Sequence, residues 1–140
     1  MIVIDASSVS KLLLKEEGWE SVASYLDQNL CATGFVLIEA ANAIWKHKHK
    51  KGFTSGEARV AFEKLEEIGK DIVLLEPVES YLEEGLNIAL KEDMPIYDAI
   101  YLAQARKYGT LLTSDGPQGK MAGRYGIRVI CVLGGTATKS

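Results

Sequence analysis

Four acidic residues stand apart from the rest by their surroundings: Asp5, Glu39, Asp98 and Asp115. Asp5 ends the apolar run Ile2-Val3-Ile4, and Asp115 ends "TLLTSD". Glu39 lies in "VLIEAANAIW" and Asp98 in "PIYDAIYLA", both among aliphatic neighbours. An ionised carboxylate in such company is costly to bury unless something compensates it. Each acid alone has an ordinary explanation. Asp5 suits a helix N-cap, Asp98 suits the first turn of a helix after Pro95, and Glu39 suits a pair with a lysine. Together they have a chemical one. Four carboxylates in one place repel one another unless a cation joins them. Hard oxygen donors, with no His, Cys or Met near them in sequence, suit Mg²⁺ or Mn²⁺. Such an ion binds a phosphate oxygen, activates water and stabilises charge as a P–O bond breaks. It also converts a cluster that repels a phosphodiester backbone into one that attracts it.

These acids are far apart in sequence, so a fold must gather them. In open α/β sheets, ligand sites form outside the carboxyl ends of the strands, where the following helices begin. The pattern of the chain supplies such a fold. Residues 2–5 read as a short strand that is apolar throughout, as in a parallel sheet covered on both faces. "SSVSKLLLK" reads as a short helix and "GWESVASYLDQN" as a second. "CATG" reads as a very short strand, and a helix follows from Phe35 to about Lys50, ended by Gly52. "TSGEARVAFEKLEEIG" predicts a helix that stops at Gly69, and "DIVLLEP" a strand closed by Pro77. "SYLEEGLNIALKED" and "YDAIYLAQARKYG" read as helices, the second with a largely apolar body. "TLLTSD" is a strand, "GKMAGRYG" a turn or short helix, and "IRVICVL" a last apolar strand. Strands alternate with helices, which predicts one α/β domain over residues 1–133, with a mostly parallel central sheet flanked by helices. Residues 134–140, "GGTATKS" with the preceding strand removed, predict a flexible tail.

Bulk properties narrow the function. The chain has 140 residues, 47% hydrophobic and 25% charged, and a formal net charge of -3. That length supports one sizeable core. A protein that grips nucleic acid by charge alone is usually basic, so a nucleic-acid role here needs metal ions or a local basic patch. Cys31 and Cys131 belong to no metal-binding spacing and read as buried thiols. The start of the chain lacks the pattern of a signal peptide, and no stretch has the apolar length to span a bilayer. A cytoplasmic location is the expectation.

In order and spacing, "IVIDASSV", "LIEAANAIW", "YDAIYLAQA" and "LLTSD" resemble the acidic motifs of PIN-domain ribonucleases, most closely the VapC-type toxins of prokaryotic toxin–antitoxin pairs. The likeness runs from Ile2 to about Val132. It implies that Asp5, Glu39 and Asp98 are the three principal acids, that Asp115 is the fourth and more variable one, and that Ser7 supports the metal site. It further implies Mg²⁺- or Mn²⁺-dependent hydrolysis of RNA, a homodimer, and inhibition by a separate antitoxin protein. Asn42, three residues after Glu39, lies on the same helical face, either to orient the acid or substrate or simply as a surface residue.

The run "KHKHKK" at the end of the Glu39 helix reads either as a solvated helix terminus or as a contact for RNA backbone. It stands several turns from Glu39, which predicts a position far from the acids. Lys120 and Arg124, close after Asp115, are the better-placed candidates for RNA binding. His47 and His49 are two apart and point in different directions on a helix, which argues against a shared metal. Aspartyl phosphotransferases commonly carry a second Asp two residues after the first, where this chain has Ser7. A receiver domain needs a phosphoacceptor Asp on the central strand, where this chain has Glu76-Pro77. The remaining alternatives are a PIN-like binding module with little or no catalysis and a housekeeping RNA-processing nuclease.

Overall fold

The run Ile2-Val3-Ile4 forms strand β1 (Ile2–Ile4), which lies between two parallel neighbours. The computed structural model describes the backbone of residues 1–134 and 136–139 and the side chains of residues 1–134. Around β1 the sheet is built from β2 (Leu30–Thr33), β3 (Val73–Glu76), β4 (Thr110–Thr113), β5 (Arg128–Leu133) and β6 (Thr136–Lys139), in the order β3-β2-β1-β4-β5-β6. The first five strands are mutually parallel, and β6 runs antiparallel to β5. Val3 sits opposite Cys31 on one side and Leu111 on the other. This is the mostly parallel α/β sheet that the apolar runs predict. Val3, Cys31, Leu111 and Leu112 are all fully buried, as strands covered on both faces require. Cys31 and Cys131 lie on β2 and β5, separated by β1 and β4.

Among the described residues, seven α-helices accompany the sheet: α1 (Ala6–Leu13), α2 (Trp19–Ala23), α3 (Phe35–Lys51), α4 (Ser55–Glu67), α5 (Leu82–Glu92), α6 (Ile96–Tyr108) and α7 (Gly116–Arg124). α6 is the most deeply set, with every residue from Ala99 to Ala105 buried. A helix that is apolar around its whole circumference belongs in the core. α5 packs against α6, and α1 against α3. Thr54 starts α4 with a reciprocal cap: its hydroxyl accepts from Glu57 N–H while the Glu57 carboxylate accepts from Thr54 N–H, both at 3.0 Å.

Three elements differ from expectation. The helix predicted over residues 18–29 ends at Ala23, because Ser24, Asp27, Gln28 and Asn29 favour turns, and the Ser24 hydroxyl bonds to the Ser21 carbonyl at 2.7 Å. α4 does not stop at Gly69. The chain winds on through a wider π-type turn over Ile68–Ile72, which moves the start of β3 to Val73. Gly69 packs closely there rather than terminating the helix, since a Cβ would lie 3.0 Å from a Leu37 methyl and push it aside. The tail expected to be flexible from residue 134 instead pairs as β6, with Leu133 opposite Thr136. Threonine suits a strand. Gly135, Ser140 and the side chains of β6 lie outside the described residues.

Candidate active site

Strand ends and helix starts bring the four acids to one edge of the sheet. Asp5 follows β1 and Asp115 follows β4, the strand paired with β1. Glu39 stands in the second turn of α3 and Asp98 in the first turn of α6. Each influences the next. Asp98 raises the Glu39 carboxyl, Asp115 raises Asp98, and Asp115 raises Asp5. All four therefore share one electrostatic neighbourhood.

Asp5 is only 4% exposed, and both carboxylate oxygens are engaged. Oδ1 accepts from the Ser7 hydroxyl at 2.6 Å and from Ser8 N–H at 3.2 Å, and Oδ2 accepts from the Thr113 hydroxyl at 2.5 Å. Burial pushes its pKa up to about 6, against the pull of these hydrogen bonds. The Ser8 contact is also the N-cap of α1, so the ordinary explanation and the chemical one hold for the same residue. Asp115 shows the same double use: it is exposed, and its Oδ1 caps α7 through Gln118 N–H at 3.0 Å.

Glu39 and Asp98 are half-buried, and in each case burial is the main cause that lifts the carboxyl above its usual range. Tyr101 opposes the lift at Glu39 by donating to Oε1 at 2.6 Å. The Asp98 carboxylate accepts no hydrogen bond among the described residues; the Gln118 amide donates instead to the Asp98 backbone carbonyl at 2.9 Å.

Two supports escape a reading of the sequence. Tyr101 comes three residues after Asp98 and shares its helix face. Thr113, two residues before Asp115, donates to Asp5 and accepts from Asp115 N–H at 3.1 Å, so one hydroxyl joins both strand ends. Ser7, the predicted support, also contacts Thr113 at 3.3 Å and accepts from Ser114 N–H at 2.8 Å.

The other sequence candidates fall as follows. Asn42 is exposed beside Glu39 in a small cleft. Lys120 is exposed on α7, whereas Arg124 is tied to Glu92 at 3.3 Å. His47 packs edge-on against Phe53 and His49 against Trp45. Lys46 departs from the expectation that the whole basic run lies far from the acids, since it lines the same cleft as Ser7 and Glu39.

The donor set fits a hard divalent cation in its chemistry: four carboxylates, of which Asp5 and Glu39 have hydroxyls behind them that favour the charged form. Among the described residues, however, no three acidic, histidine or cysteine groups close on a single point. The acids stand at electrostatic range of one another rather than in a finished coordination shell.

Comparison with known proteins agrees with this architecture. The family model described as PIN domain matches residues 2–123. The chain is 34% identical over 120 residues to Ribonuclease VapC3 of Pyrobaculum aerophilum, covering 81% of this chain and 88% of that protein. The crystal structure of PAE2754 from Pyrobaculum aerophilum has the same fold, with a TM-score of 0.63 at 21% identity over 89% of this chain and 93% of that one. With its parallel sheet and its acids gathered at one edge, the chain belongs to the PIN-domain family.

Proposed function

We propose that this protein is a Mg²⁺- or Mn²⁺-dependent endoribonuclease whose cation is held by Asp5, Glu39, Asp98 and Asp115. The observation that carries this reading is the placement of four carboxylates from four separate elements at the ends of paired strands and the starts of the helices beside them, with Asp5, Glu39 and Asp98 raised by burial first and by a neighbouring acid of the set second. Asp5, Glu39 and Asp98, being raised, weaken the metal-free fold at neutral pH, which argues against a purely structural reason for gathering them. The cation, when bound, polarises the scissile phosphate and supplies an activated water.

The chain's own groups have distinct tasks. Asp5 is held by Ser7, Ser8 and Thr113 and cannot swing away. Tyr101 orients Glu39. Asp98 keeps both carboxylate oxygens available to a ligand. The likeness to Ribonuclease VapC3 supports RNA as substrate and the role of toxin in a toxin–antitoxin pair, opposed by a separate antitoxin protein. A homodimer fits the exposed Leu82, Leu86 and Leu90, which form one apolar stripe along α5. No helix among the described residues is long and apolar enough to cross a membrane. The proposed place of action is the cytoplasm.

The test is to incubate the purified protein with a pool of single-stranded and structured RNAs in Mg²⁺, Mn²⁺ or EDTA, beside Glu39→Gln. Cleavage that requires metal and fails in the variant supports the nuclease. Intact RNA throughout, with folded protein, overturns it in favour of a binding module.

A further inference from the structure

We propose that the cleft between α1 and α3 is a subsite for the RNA strand, in which Lys46 holds a phosphate beside the bond that is cut. This rests on the ribonuclease reading above and adds the path of the substrate to it.

The cleft encloses about 220 Å³, and its walls include Ser7 and Ser10 from α1 and Glu39, Asn42 and Lys46 from α3. Each wall is a continuous helical face: Ser7 and Ser10 are three apart, and Glu39, Asn42 and Lys46 follow at steps of three and four. One end of the cleft therefore belongs to the acid cluster, through Ser7 and Glu39, and the other end carries a cation. Lys46 is seven positions along the helix from Glu39, a rise of about 10 Å. That separation sets the Lys46 side chain toward a phosphate farther along the strand rather than the reacting one.

The Lys46 ammonium forms no ion pair among the described residues, although Glu39 opens into the same cleft. It remains available for an anion from outside. Between the two ends stand the Ser10 hydroxyl and the Asn42 amide, each able both to donate and to accept, as ribose hydroxyls require. A ligand that lies along the cleft must present an anion to Lys46, hydroxyls to its middle, and a group compatible with a cation at the acids. A ribonucleotide chain has this sequence of features.

The rest of the basic run does not share the position. Lys48 lines a different hollow, with Ala41, Ile44 and Trp45. This provides a matched control that changes charge equally at the far side of the same helix.

The experiment compares the intact protein with Lys46→Ala, Lys46→Arg and Lys48→Ala on an RNA that the wild type cleaves, across a salt series. Loss of one phosphate contact made equally before and during reaction raises KM and leaves kcat unchanged. The expected result for Lys46→Ala is a KM raised about threefold, the size of an exposed charge contact. The dependence of log(kcat/KM) on log salt becomes shallower by about 0.7, the loss of one phosphate on a single strand. Lys46→Arg retains the wild-type slope, and Lys48→Ala leaves KM and slope unchanged. Equal values for Lys46→Ala and wild type overturn the subsite while the nuclease stands. An equal change in Lys48→Ala also overturns it, by showing a response to net charge alone. A wild type that cleaves no RNA overturns both readings.

Discussion

The Tyr101 hydroxyl donates to Glu39 Oε1 across 2.6 Å and joins α6 to α3 between two of the four acids. Tyr101 is 2% exposed, so its ring is fixed by the core while its hydroxyl reaches the acid edge. The bond favours the charged form of Glu39 and opposes the effects of burial and of Asp98. Tyr101→Phe removes it and keeps the packing. The Glu39 carboxyl then rises further, and its charged form persists only at higher pH. The acid limb of the pH–rate profile at saturating Mn²⁺ is expected to move upward, with a lower kcat at pH 6 and an unchanged circular dichroism spectrum. An unmoved limb would show that the bond is only structural.

Asp5 predicts an unusual stability effect. Its carboxyl titrates near 6 in the folded protein, against a usual 3.8. A raised acid favours its protonated form in the fold, so the fold is firmest below the unfolded value and weakens as pH rises through the folded one. The difference amounts to about 3 kcal/mol once both values are passed. In EDTA at pH 7.5, Asp5→Asn is therefore expected to melt at a higher temperature than wild type, and near pH 4 the two should converge. Added Mn²⁺ should raise the wild type and leave the variant where it was. Thermal melts at both pH values, with and without metal, check each statement.

Thr113 joins Asp5 to the backbone of Asp115 through one buried hydroxyl. Thr113→Val keeps the shape and leaves a buried carboxylate oxygen without its donor. A loss of about 1–3 kcal/mol in urea unfolding is expected. Thr113→Ser, which keeps the hydroxyl, should lose less. Equal losses in the two variants would assign the effect to packing.

A second carboxylate hub lies at the end of β3, against the other half of α6. Glu76 accepts from Tyr81, from the Gln104 amide at 2.9 Å and from Tyr108 at 2.7 Å. Burial pushes its carboxyl up, but these bonds and Lys107 outweigh that and hold it below the usual range. A lowered acid stabilises the fold above the unfolded pKa and loses that contribution as pH falls. Glu76→Gln should therefore be less stable than wild type at pH 7, with the gap narrowing on acidification. Urea unfolding at several pH values reads this out.

Much of this was legible because the acids break a pattern. Asp5 and Asp115 end apolar strands, and Glu39 and Asp98 interrupt apolar helices, so each is conspicuous against its neighbours. The parallel sheet followed from strands with no polar face. Tyr101 and Thr113 were hidden for the opposite reason: each fits its own element, and its meaning comes from a partner 62 or 108 residues away. Counting turns gave the separation of Lys46 from Glu39 but not the cleft with α1 that the two residues share. The pairing of β6 with β5 was missed where the residues after Leu133 were taken as a tail.

The central claim is that the four acids form one cation site. The most direct measurement is a calorimetric titration of Mn²⁺ into the wild type and into Asp98→Asn, whose side chain makes no hydrogen bond within the described fold. Saturable binding by the wild type, weakened in the variant at least about tenfold, the least that loss of an outer-shell partner costs, is the predicted result. Equal affinity in the two proteins, or no saturable binding by the folded wild type, would contradict the account.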